Sequence, residues 1–210
     1  MGDLVGDLVA MANVERAALL ADLEGLTDGQ WATLTVCDPW TVRHLVAHMT
    51  AVGHQTASNF FRGFLTSGFS FDKFVAKDLV RFDQGSNADV LAGFAKTVGR
   101  PKGPPGPKYV LLGEIMCHGE DIRRAIGQPG THPEAHIVAL ADAYRKTGAP
   151  LGGKKRSAGL RLRATDAEWT AGDGPEVAGP GMDLILAISG RGGALDSCTG
   201  DGVAAMRSRC

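Results

Sequence analysis

Glu114 and His118 stand four residues apart inside an apolar helical stripe, and this placement constrains the fold more than any other feature of the chain. Val110, Leu111, Ile115, Ile122, Ala125 and Ile126 recur at three- and four-residue steps, which predicts a helix ending near Gly127. Side chains four apart project from one face of such a helix. Leu111 lies three residues before Glu114 and Ile122 four after His118, so the polar pair sits within or beside the buried side. A carboxylate and an imidazole withdrawn from water need partners, because an unsatisfied buried polar group costs roughly several kcal/mol. On the residues alone two readings stay open. The pair ligates a divalent metal inside a helix bundle, or it is hydrogen-bonded and only orients two helices.

The rest of the first 150 residues reads as further helices. Leu4, Val5, Leu8, Val9, Ala12, Leu19, Leu20 and Leu23 mark a first one over 3 to about 25, with Glu15, Arg16, Asp22 and Glu24 outside the stripe. Thr27 to Trp31 turns into a short helical piece, and the chain leaves helix before Pro39. Thr41 suits the N-cap of a helix from Val42 to about Phe64. Its core stripe is Val42, Leu45, Val46, Met49 and Val52, with His48 at the edge and His44 one turn earlier on the polar side. The Phe-rich segment from Thr66 to Gly85 reads as a covering loop with helical pieces that can wall a pocket. Ser86 caps a helix through about Val98, and Gly99 to Pro107 is an extended break. A further helix opens at Pro133 and runs to about Lys146, with His132 and His136 expected to be solvated.

Beyond Pro150 the pattern changes. Gly159 to Thr165 alternates apolar and charged residues as a half-buried strand does, and Glu168 to Val177 reads as strand, turn and strand. Asp183 to Ile188 fits a short helix. The expected architecture is therefore α+β: a helical domain over 1–150 and a small α+β domain over 151–210.

Composition narrows the function classes. A net charge of −1 with no basic cluster argues against nucleic acid as a partner. No apolar run approaches the length of a membrane span, and the acids near the N-terminus are unlike an export signal. Four scattered cysteines without a C-x-x-C pair suit a reducing compartment, so a cytoplasmic protein acting as monomer or homodimer is expected. Cys117 reads as core and Cys210 as an exposed thiol.

His48, Glu114 and His118 together offer two imidazoles and one carboxylate, a set that leaves a divalent zinc with an open position, as catalytic sites do. Asp121, three residues after His118, can accept from an imidazole and fix it, or lie at the surface.

Trp40-Thr41-Val42-Arg43 with His48 eight residues after the Trp, followed by Glu114-x-x-x-His118-Gly-Glu-Asp121 and Gly127, resembles the mycothiol-dependent maleylpyruvate isomerase family, among the DinB-like metal-binding four-helix bundles. The tail is similar too: Leu160 to Arg163, Trp169, Gly172 to Gly174, Gly179 to Gly181, Asp183, Gly190-Arg191 and Gly200 to Gly202. The resemblance implies zinc on His48, Glu114 and His118, with mycothiol as the thiol co-substrate and a small electrophile as the second partner. Cis–trans isomerisation through thiol addition, or S-transfer, is the implied chemistry. It also admits Arg191 as a group reaching a substrate carboxylate, and Asp121 and Arg123 as cofactor contacts. Relatives often carry an acid where this chain has His44. The alternative from another class is a non-catalytic metal- or ligand-binding bundle, favoured by the Phe-rich segment from Phe60 to Phe82.

Overall fold

The computed structural model describes residues 2–210, with side chains from Asp7 onward, so Leu4 and Val5 lie outside the described side chains. Contacts divide the chain into two units, 1–130 and 131–210.

The first unit is helical. Helix α1 (Gly2–Leu23) buries Ala12, Leu19 and Leu23 and packs along α7 (Tyr109–Ala125). Glu15 and Arg16, read from the pattern as lying outside the stripe, are instead buried. The Arg16 guanidinium donates to the carbonyls of Arg100 and Lys102 at 3.0 and 3.3 Å, so it supplies donors to the Pro/Gly break, which makes no regular ladder of its own. Burial lowers the pKa of this side chain to about 10. The short α2 (Asp28–Trp31) is capped by Thr27.

Thr41 caps α3 (Val42–His54) as its sequence predicts, its hydroxyl accepting from the His44 N–H. The helix stops at His54 rather than running to Phe64. Gln55 turns extended at φ −66° and ψ 141°, and Thr56 with Asn59 forms a new capping box that starts α4 (Ala57–Thr66). The Phe-rich segment is more regular than a covering loop: residues Phe71–Phe82 form α5, started by Ser70 and closed onto α3. Helix α6 (Asn87–Ala95), capped by Ser86, also packs on α3. Arg43 gathers Asp83, the Gly85 carbonyl and Asn87, so the α5–α6 connection is tied to the first turn of α3.

The second unit begins earlier than the composition change at 150 suggests, because α8 (Glu134–Tyr144) packs on α10 (Gly181–Ile188) and so belongs with it. His136, expected to be solvated, is 7% exposed. After α9 (Gly153–Ser157) come β1 (Arg161–Ala164), β2 (Thr170–Ala171) and β3 (Glu176–Gly179). The sheet order is β2-β1-β3, antiparallel on one side of β1 and parallel on the other. All eight residues of α10 are buried, as an apolar helix surrounded by its neighbours must be. A 3₁₀ turn at Gly192–Ser197 and α11 (Val203–Arg207) complete the chain. Among the described residues no helix is long and apolar enough to cross a membrane.

Candidate metal centre

Two helices bring the donors together. On α3, Leu45, Val46, Met49 and Val52 are buried to 5% exposure or less, which fixes the helix rotation and leaves His48 at the margin of that stripe. On α7, Leu111, Leu112, Ile115, Met116 and Ile122 do the same for Glu114 and His118. Cys117 points into the core, as expected.

At the meeting point His48 Nε2 lies 3.2 Å from Glu114 Oε2, and His118 Nε2 lies 3.6 Å from the same oxygen. The two imidazoles stand edge to face with ring centres 5.3 Å apart, and the Trp40 ring lies 5.2 Å from that of His48. Behind His118, Asp121 is 2% exposed and its Oδ2 lies 3.1 Å from Nδ1. A carboxylate there accepts a hydrogen bond from Nδ1–H, which leaves the Nε2 lone pair facing Glu114 and His48. Four-coordinate zinc with ligands at about 2.0–2.1 Å sets its nitrogen and oxygen donors roughly 3.3 Å apart. The two imidazole–carboxylate spacings, and a set of two imidazoles with one carboxylate, therefore suit zinc.

Asp121 thus meets His118 and not the open side of the cluster. Arg123 is carried by α7 to another neighbour: its Nη2 lies 2.7 Å from Asp22 Oδ2 on α1, and its side chain is 5% exposed. The structure does not gather it with the donors. His44 is not gathered either. Its Nδ1 accepts the Thr41 N–H at 3.1 Å, and Nε2 lies 3.6 Å from Asp83, so the ring completes a helix cap. Arg191 belongs to the second unit, where it opens the 3₁₀ turn and donates to Ser189 Oγ at 2.9 Å.

One neighbour of the cluster carries no sequence signal. Cys37, in the loop before α3, places Sγ 3.3 Å from Asp121 Oδ2 and 3.8 Å from His118 Nδ1. It lies 81 positions from His118 and outside any periodic element, so neither spacing nor amphipathicity marks it.

Along α3 the His48 face continues through Ala51 and Gln55, which line a cavity of about 510 Å³ with His54, Arg62, Lys77, Asp78 and Arg81. Burial raises the pKa of the Asp78 carboxyl, against the Gln55 amide hydrogen bond and the positive charge of Arg81.

Residues 12–100 match the family model of the mycothiol maleylpyruvate isomerase N-terminal domain, a stretch that holds His48 and ends before α7. No curated protein sequence matches the chain. A crystal structure of the mycothiol-dependent maleylpyruvate isomerase is similar in fold, with a TM-score of 0.65 at 14% identity over 94% of this chain and 92% of that one. A histidine-to-alanine mutant of that enzyme matches over the same shares, with a TM-score of 0.63 and 15% identity. Residues 12–100 thus belong to the mycothiol maleylpyruvate isomerase N-terminal domain family, and the chain has the α+β fold of the mycothiol-dependent maleylpyruvate isomerase.

Proposed function

We propose that the chain is a metal-dependent enzyme that uses mycothiol to attack a small electrophile, by isomerisation or S-transfer, with zinc held by His48, Glu114 and His118. The observation that carries this reading is the meeting of these three donors from α3 and α7, with Asp121 set behind one of them. When bound there, zinc supplies a positive charge with an open position, which favours the thiolate form of a thiol at neutral pH. Glu114 contributes one negative charge, so the set leaves a net positive centre for an anion. Asp121 holds the His118 proton on Nδ1 and keeps the ring in one orientation. The Trp40 ring packs against that of His48 at a tilt of 45°. Arg62, Lys77 and Arg81 outnumber Asp78 in the cavity farther along α3, a lining that suits a ligand bearing carboxylates. A feature favouring a non-catalytic binding protein is the apolar surface of α4, α5 and the turn between them, where Phe61, Phe69 and Phe71 are more than half exposed.

The test is the metal content of untagged protein by elemental mass spectrometry, with Glu114→Ala and His118→Ala beside it. Roughly one zinc per chain is expected in the parent and little in either variant, followed by zinc-dependent consumption of mycothiol with a panel of electrophiles. A parent that takes up no metal on reconstitution, or a zinc-loaded parent that consumes no thiol, sinks the reading.

A further inference from the structure

We propose that His118 serves two mutually exclusive donor sets through its two ring nitrogens, and that a thiophilic divalent cation takes the second: Cys37 Sγ, His118 Nδ1 and Asp121 Oδ2. The three atoms lie 3.3, 3.8 and 3.1 Å apart. Each lies within about 0.3 Å of the edge expected when a four-coordinate cation holds sulfur at about 2.3 Å and nitrogen and oxygen at about 2.0–2.1 Å, which separates the donors by roughly 3.3–3.6 Å.

The placement of Cys37 does not depend on its contact with Asp121. Its carbonyl accepts from the Trp40 N–H at 2.9 Å, its own N–H donates to Thr35 Oγ1 at 3.2 Å, and the Thr35 N–H donates to the Trp40 carbonyl at 2.9 Å. The backbone of this tight loop therefore delivers the sulfur to α7. Asp121 is almost fully buried while Cys37 is half-buried, so the set is shielded at one end and reachable at the other.

The two sets differ in softness. His48, Glu114 and His118 Nε2 are borderline and hard donors, whereas a thiolate selects cadmium or similar cations. They also exclude each other, because a neutral imidazole has one lone pair. When Nε2 is the ligand, the proton sits on Nδ1 and is donated to Asp121. For Nδ1 to become the ligand that proton must move to Nε2, which then no longer binds zinc. The Cys37 thiol proton is released to solvent at the same time. Cation binding at the second set therefore takes His118 away from the first, and a thiophilic metal inhibits by theft of a shared ligand. This consequence rests on the zinc reading of the first set.

The experiment is a titration of metal-free protein with cadmium, followed by the ultraviolet cadmium–thiolate charge-transfer band, in the parent, Cys37→Ser and His48→Ala. The band is expected to saturate at about one equivalent in the parent and in His48→Ala, and to be absent in Cys37→Ser. Zinc-loaded parent should lose zinc as the band grows. A parent without the band, a band that survives in Cys37→Ser, or a parent that retains zinc and cadmium together overturns the proposal. The arms separate the two readings: a Cys37-dependent band in a parent that takes no zinc supports the second set and removes only the zinc enzyme.

Discussion

Gly53 sits on α3 five residues after His48, against Thr97 in the turn that follows α6. A Cβ there would lie 2.7 Å from both Cβ and Cγ2 of Thr97, a residue with no exposed surface whose hydroxyl donates to the Phe94 carbonyl at 2.7 Å. Thr97 cannot swing away without breaking that bond, so the turn after α6 must move off α3 instead. Gly53→Ala should therefore lower stability by about 1–3 kcal/mol, the usual cost of overpacking, despite alanine's better helix propensity. Urea unfolding measures it, and a gain in stability would show that the spacing of this turn from α3 is slack. Because α3 carries His48, the same variant should also bind zinc more weakly.

At the scale of elements, Asp142 links the last turns of α8 to the sheet of the second unit. Burial pushes its carboxyl up, but hydrogen bonds from Lys146, the Trp169 indole and Arg145, together with the Lys146 charge, outweigh this and hold its pKa below the usual range. A carboxylate whose folded value is depressed stabilises the protein above its unfolded value of about 3.9, and that contribution is lost as pH falls through the folded value. Asp142→Asn should thus narrow the gap in melting temperature between pH 7 and pH 3. An unchanged gap would mean that the three donors leave α8 no less firmly held when the carboxyl is protonated.

At the scale of the whole molecule, the boundary between units is testable by truncation. A chain ending at Gly130 keeps the α1, α3, α6 and α7 packing and all donors of the candidate centre, and should stay soluble and bind zinc. A chain ending at Pro150 adds α8 without α10, and so presents Ile137, Leu140, Ala141 and Tyr144 to water. It should aggregate or bind a hydrophobic dye more strongly, as read by light scattering and dye fluorescence. Equal behaviour of the two fragments would place α8 with the first unit after all.

The sequence by itself determined the helices around the centre, since apolar periodicity, the Thr41 and Ser86 caps and the Pro/Gly break are local signals of backbone preference. It also determined which face Glu114 and His118 share, because spacing of four in a helix admits no other arrangement. The alternation around Leu162 marked the strand of the small unit. Tertiary structure alone decided the rest. That His48 meets Glu114 across 66 positions, that Cys37 reaches His118, and that His44 closes a cap are outcomes of how α3 packs on α7 and how one loop folds back. The same holds for Arg16, drawn inward by orphaned carbonyls, and for α8, claimed by α10. Local patterns report what a segment prefers, whereas long-range contacts depend on which buried faces find each other, a property no single segment carries.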